Sequence, residues 1–370
     1  MRPRNLSLVG LSLAALVVGS ACSTDASTST ADPAAVAAGI KAATALTEKY
    51  SAPVTSAALP TGTNPVAKGK FVVTVPCSYA AENCKRGVDA FADAAASVGW
   101  RTQMIDPAGD PEKARAAVRT AINLGANGIF FMAGSGDGLS QALTDARKAG
   151  LVTANVEGGA NEPGQFDTNL EPSPTEMGRL LAAQITVSNH GKANVLLVND
   201  PEYKAVRGIH DGLISGLKEF CPGCRVVDDI EFQIGDLASG MPSQVQAALT
   251  AHPDVDTVWA SYDAAANSIE PVIKRSANAD SIHLVSTDGL EANLNSIKNN
   301  GVQTADVAAD SQWIAYQALD EMDRVMEGQK AQPNIATPYK LMTAQTITAI
   351  PWNGDVDWKA AYLTRWGVRA

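Results

Sequence analysis

Hydrophobic positions along the chain keep changing their period. Short apolar or β-branched runs, beginning with Phe71-Val72-Val73-Thr74-Val75, alternate with longer stretches whose apolar residues recur every three or four positions. The first pattern is that of a strand and the second that of an amphipathic helix. Strands are predicted over 71–75, 102–105, 128–132, 151–156, 194–198, 225–232, 257–261, 282–286 and 302–308. Between them helices are predicted up to Gly99 and over 111–124, 138–149, 174–188, 202–219, 240–251, 263–276, 290–299 and 311–327. A helical stretch over 33–50 and a Pro/Gly/Ser/Thr-rich connector over 51–69 come first, and a loop over 158–172 interrupts the series. The segment 339–350 closes it, followed by a tail over 351–370 with three of the six tryptophans, read as packing anchors because such large rings need covering.

Alternating elements of this size require parallel sheets covered by helices on both faces, and Ile129-Phe130-Phe131-Met132, apolar throughout, suits a strand buried on both sides. A chain of 370 residues is too long for one comfortable core. The expected fold class is therefore α/β, with two doubly wound parallel-sheet lobes.

The N-terminus changes the picture. Arg2 and Arg4 precede an apolar stretch from Leu6 to Ser20, too short for an ordinary membrane-spanning helix, which reads as an export signal over residues 1–21. Gly19-Ser20-Ala21-Cys22 resembles the lipobox at which bacterial signal peptidase II cuts and the cysteine receives lipid. Gly19 stands where that pattern usually has Leu, so plain cleavage is the alternative to lipidation at Cys22. The Ser/Thr/Ala-rich segment 23–32 suits the spacer a lipid anchor needs. The expected location is the cell envelope, outside the cytoplasm, on a membrane anchor.

The formal net charge is -10, and losing the leader removes two arginines and no acid, which leaves -12. Without a basic stripe, nucleic acid is excluded as a partner. With Cys22 set aside, four cysteines remain in two local pairs, Cys77 with Cys84 and Cys221 with Cys224. In an oxidising compartment these read as two disulfides. A redox-active CxxC belongs at a helix start after a strand, whereas Cys221 and Cys224 follow a helix. No second CxxC or His cluster completes a metal site, so neither a metal nor a cofactor is expected.

In doubly wound sheets ligands sit outside the carboxyl ends of the strands, where helix N-termini and loop amides converge. The residues just after the predicted strands are Ser78 and Tyr79; Ala133 to Ser135; Glu157; Asp200; Phe232; Tyr262 and Asp263; Asp288; and Asp310 with Gln312 and Trp313. Carboxylates and amides take paired hydroxyls, while flat rings cover the apolar faces of a sugar. An Asp or Ser after a strand is equally a cap for the next helix, so the argument rests on the set. Gly134-Ser135-Gly136-Asp137-Gly138 imitates a dinucleotide fingerprint, but its spacing is GxGxG where GxGxxG is needed. No GxSxG, Walker lysine or HExxH is present, and no catalytic residue is expected.

Three phrases carry a family resemblance: Leu249-Thr-Ala-His-Pro-Asp-Val255, Val258-Trp-Ala-Ser-Tyr-Asp263 and Leu284-Val-Ser-Thr-Asp-Gly289. The chain resembles the ribose-binding family of type I periplasmic binding proteins, which shares its ligand-sensing fold with the LacI-type repressors, over about residues 70–350. The resemblance implies two lobes joined by three crossovers near Asn169, Asp310 and Thr337. It places 70–169 with 311–337 in an N-terminal lobe and 170–310 with 338–370 in a C-terminal lobe and tail, after a tether and linker over 22–69. The family's ligand-contacting aspartate falls on Asp288, and its Asp-Arg after the fourth strand becomes Glu157-Gly158. It implies a monomer that captures a small polar solute, a sugar or polyol, and hands it to an ABC permease driven by an ATPase. A sensory protein that presents its ligand to a membrane receptor, and less so an exported thiol protein using Cys221 and Cys224, are the competing readings.

Overall fold

The computed structural model describes residues 31–368. The signal-peptide reading and the lipid site at Cys22 lie outside the described residues. The first element is α1 (Pro33–Ser51), which the Asp32 carboxylate caps by accepting from the Ala34 amide.

The first sheet takes its strands in the order β11-β5-β4-β3-β1-β2, all parallel: β1 (Phe71–Pro76), β2 (Arg101–Met104), β3 (Gly128–Met132), β4 (Val152–Val156), β5 (Thr168–Glu171) and β11 (Asn334–Ala336). The second takes the order β12-β10-β9-β8-β6-β7: β6 (Asn194–Asn199), β7 (Arg225–Glu231), β8 (Thr257–Ala260), β9 (His283–Asp288), β10 (Gln303–Ala309) and β12 (Tyr339–Thr343). Only β12 runs antiparallel, against β10. Both sheets change winding direction once, between β1 and β3 and between β6 and β8. Such switch points open a crevice at the carboxyl ends of the strands.

Helices cover both faces of each sheet. In the first lobe α2 (Glu82–Ser97) and α10 (Ser311–Met326) pack on one face, with Phe91 stacked on Phe130 at 4.2 Å. There α3 (Pro111–Asn123) and α4 (Gly136–Lys148) cover the other. In the second lobe α1, α5 (Pro174–Ser188) and α6 (Lys204–Phe220) lie on one side, α7 (Gly240–Ala251) and α8 (Asp263–Lys274) on the other, and α9 (Glu291–Lys298) packs beside β10 and β12. Helix starts follow local chemistry: Asp110, Ser173 and Asp310 each accept from amides of the turn they precede.

The chain passes between sheets three times, at Pro172–Ser173 after β5, at Asp310 after β10 and at Thr337–Pro338 after β11. Unpaired buried oxygens cluster at these crossings, on Asn169, Asp310, Ser311 and Thr337.

Strands β5 and β11 and the tail helix differ from the sequence reading. Strand β5 forms inside the segment expected as a loop over 158–172, because pairing with β4 and β11 supplies what its own short polar sequence lacks. The tail helix α11 (Trp358–Arg365) packs on the first lobe and not on the second, to which the tail had been assigned. Trp358, Tyr362 and Trp366 join Trp313 and Tyr316 there in one buried aromatic cluster. The four mature cysteines form two close pairs, with Cα–Cα separations of 6.0 Å for Cys77 and Cys84 and 5.2 Å for Cys221 and Cys224. Among the described residues no helix is long and apolar enough to cross a membrane.

Candidate functional site

Cys77 directly follows β1, Ala133 follows β3 and Glu157 follows β4, while Asp288 ends β9, and all four residues line one cavity between the lobes. Glu171 and the Asn83 side chain add to the first-lobe wall. Tyr203, Ile209, Ser261, Tyr262 and Thr287 build the second-lobe wall. Three lining residues have left-handed backbones although they are not glycine: Ala133 (φ 55°), Glu157 (φ 53°) and Asp288 (φ 122°). Conformations of this kind are retained where function requires a side chain to be aimed, because each costs about 1–3 kcal/mol.

The polar centre is Asn83. Its Nδ2 donates to Glu157 Oε2 at 2.9 Å within its own lobe and to Asp288 Oδ1 at 3.3 Å across the cleft. Glu157 Oε1 and Asn83 Oδ1 are buried without a partner, so two acceptors remain open to a guest. Burial pushes the Glu157 carboxyl up to about 7, opposed by the Asn83 hydrogen bond and the Arg86 guanidinium and reinforced by Glu171 and Asp310. Burial likewise raises Glu171 to about 7, although the Gly159 amide donates to it at 2.7 Å. Asp288 stands well above the usual carboxylate range through burial, then repulsion from Asp263 and Glu157. Apolar side chains, among them Met132, Met177, Val206 and Ile234, make up much of the remaining wall. A mostly apolar wall with a few converging polar groups is the usual build of a small-molecule site.

The lobes also meet around the cavity's rim. Lys204 Nζ lies 3.0 Å from Glu162 Oε1, and Arg207 lies 3.7 Å from Asp137.

Of the residues expected from the sequence, Glu157, Tyr262 and Asp288 line this cavity. Asp200 stands behind Tyr262, accepting from its hydroxyl at 2.8 Å and from the Glu202 amide at 3.1 Å, and burial raises its carboxyl to about 6. Ser135 lines a second cavity instead. The others belong to the frame of the lobes. Asp263 is fully buried, taking hydrogen bonds from the Ser286 hydroxyl and the Leu290 amide. Asp310 caps α10 through the Gln312 and Trp313 amides, which is the capping role a post-strand Asp readily takes. Trp313 and Phe232 are core residues, 2% and 3% exposed. Tyr79 binds Asp89 through its hydroxyl at 3.1 Å, Ser78 is nearly buried, and Ser78, Tyr79 and Gln312 line neither cavity.

Reading only the first positions after each strand missed Asn83, Glu171 and Tyr203. Asn83 sits beside Cys84 in the first turn of α2, and that adjacency to the first cysteine pair was its available signal. Glu171 ends β5, a strand hidden in a polar segment. The missing arginine also has a physical reason. A Cβ at Gly158 would overlap Asn155 Nδ2 and come 2.7 Å from the Gly134 carbonyl, so no side chain fits. The glycine-rich loop 134–138 is held by Asn155, whose Oδ1 accepts from the Gly134 amide at 2.9 Å and whose Nδ2 donates to the Gly134 carbonyl at 3.1 Å. Among the described residues no group of three or more His, Cys, Asp or Glu is arranged to hold a metal ion.

Comparisons with known proteins agree with this architecture. The ribose import binding protein of Bacillus subtilis (strain 168) is 25% identical over 252 residues, which span 66% of this chain and 78% of that protein. An ABC sugar transporter subunit from Rhodobacter sphaeroides 2.4.1 superposes with a TM-score of 0.69 at 20% identity, covering 75% of this chain and 99% of that one. An ABC transporter solute-binding protein from Agrobacterium vitis, solved with bound allitol, superposes with a TM-score of 0.70 at 19% identity, covering 75% and 97%. The model of the periplasmic binding protein domain matches residues 72–330, most of the chain and all but one strand of each sheet, so this protein belongs to the periplasmic binding protein domain family.

Proposed function

We propose that this chain is the solute-capturing component of an ABC importer and that its guest is a sugar or polyol. The observation that carries the reading is the set of acceptors converging from both lobes on one cavity: Glu157 with an open oxygen, Asp288 and the Asn83 amide between them. A polyhydroxylated guest donates to such acceptors, and its hydrogen bonds to the second lobe exist only when the lobes meet. Closure is thereby favoured by the guest itself. The guest leaves chemically unchanged, and the membrane permease recognises the closed form. Relatives solved with allitol or described as ribose import proteins support the choice of guest.

The mature chain is read as a monomer outside the cytoplasm, tethered by lipid on Cys22, with Cys77–Cys84 and Cys221–Cys224 oxidised to disulfides. Sedimentation as a dimer at micromolar concentration would contradict the first point. A Cys22→Ala chain that still fractionates with membranes would contradict the second. The functional reading is tested by thermal shift against a panel of pentoses, hexoses and polyols at millimolar concentration. A guest present at 100 times its Kd stabilises the folded form by about 2.7 kcal/mol, which raises the melting temperature measurably. A panel that leaves it unchanged throughout would overturn the reading.

A further inference from the structure

The cavity just described has a volume of about 100 Å³, and a second cavity of about 250 Å³ lies directly beside it. The two share Cys77, Ala133 and Tyr203 in their walls, so these residues mark the boundary between them. Both lobes contribute to the second compartment, the first through β1, α3 and α4 and the second through Glu202 and Tyr203.

The two compartments ask for different chemistry. In the first, buried oxygens of Glu157 and Asn83 have no partner. In the second, each acid already has one carboxylate oxygen engaged: Asp110 accepts from the Glu112 amide at 2.8 Å, and Glu202 accepts from the Ile234 amide at 2.9 Å. What remains of that wall is chiefly Val75, Pro107, Pro111, Phe131 and Leu139, an apolar surface interrupted by the Ser135 hydroxyl. A guest filling both spaces is polar at one end and apolar at the other.

We propose that the cleft continues past Tyr203 into this apolar compartment, and that the ligand is a glycoside whose sugar sits against Asn83, Glu157 and Asp288 while an apolar aglycone occupies the second space. The inference rests on the reading of the first compartment as a sugar site. It adds a binding subsite and narrows the ligand class from a free sugar to one bearing a hydrophobic substituent.

The test compares the free sugar that gives the largest thermal shift with both anomers of its 4-nitrophenyl glycoside, by calorimetric titration. One anomer is expected to bind at least about tenfold more tightly than the free sugar, since an aromatic ring leaves water for an apolar wall. Two variants fill the second space alone, Gly138→Phe, where a Cβ would meet nothing nearer than Ser135 Oγ at 3.9 Å, and Ala114→Phe on the half-buried face of α3. In both, the advantage of the glycoside is expected to vanish while the affinity for the free sugar is retained. Glycosides that bind no better than the free sugar to the unaltered protein, or an advantage that survives both substitutions, would overturn the second compartment and leave the sugar reading standing. If neither free sugars nor glycosides bind at all, the sugar reading falls and takes this inference with it.

Discussion

Asn83 on α2 and Asp288 at the end of β9 belong to opposite lobes, and the amide Nδ2 donates to the carboxylate Oδ1 across the cleft at 3.3 Å. The same nitrogen donates to Glu157, so one side chain organises acceptors from both halves of the site. Asn83→Ala is expected to lower sugar affinity about tenfold, the equivalent of about 1.4 kcal/mol, because two acidic acceptors lose the donor that orients them. Calorimetric titration checks this. Unchanged affinity would remove Asn83 from the site.

Asp288 permits a cleaner test than alanine substitution. Its φ of 122° is strained for any L side chain and free for glycine. Asp288→Gly therefore keeps the backbone, removes a buried acid and is expected to melt no lower than the unaltered protein. Its sugar affinity is expected to fall by about 1–3 kcal/mol, or roughly five- to 150-fold. A variant that binds normally would place the guest elsewhere.

Glu157 and Glu171, both raised from 4.5 to about 7, give the ligand-free protein a defined pH response. The folded chain binds more protons than the unfolded one between these two values, so stability is greatest at the acidic end and falls as pH rises toward 7. Asp200 and Asp310, both raised to about 6, act in the same sense. Calorimetric melting is expected at a higher temperature near about pH 5.5 than near about pH 8, and Glu157→Gln is expected to shrink the difference. An identical pH slope in that variant would contradict the burial of its charge.

The cysteine pairs give a thiol count. Alkylation of the unfolded, unreduced mature protein is expected to find no free thiol among Cys77, Cys84, Cys221 and Cys224. A double Cys77→Ser and Cys84→Ser variant is expected to lose about 2–3 kcal/mol of stability, the chain-entropy value for so short a loop. Because that loop carries Asn83, affinity falls with it. Reactive thiols at Cys221 and Cys224 in the folded protein would revive the redox reading.

Trp358 separates frame from site. Its ring lies 5.0 Å from Tyr316 in edge-on contact and 6.4 Å from Trp313, inside the first-lobe core. Trp358→Ala is expected to cost about 3–5 kcal/mol in stability with little change in sugar affinity. A loss of affinity at unchanged stability would instead make the tail part of the site.

The architecture was legible because strand burial wrote itself into the sequence. β1 and β3, buried at every position, are apolar runs that a period count finds. β5 and β11 were invisible because neither has an apolar run, and each exists only through its neighbours. Of the residues lining the candidate cavity, the sequence pointed to those where strand ends are also cavity walls, Glu157, Tyr262 and Asp288. It was misread where the same kind of position serves the frame. Asp263 and Asp310 follow strands just as Asp288 does, yet one anchors a buried hydrogen-bond network and the other caps a helix. Nothing in the local sequence separates those roles. Asn83 escaped because the first turn of α2, and not a strand end, delivers it to the cleft.

Solution scattering on the mature protein, with and without a sugar whose binding has been verified by titration, measures the swing of the lobes directly. A smaller radius of gyration in the bound state is predicted, since a guest held between Glu157 of the first lobe and Asp288 of the second ties the two lobes together. Superimposable curves at full occupancy would contradict the account.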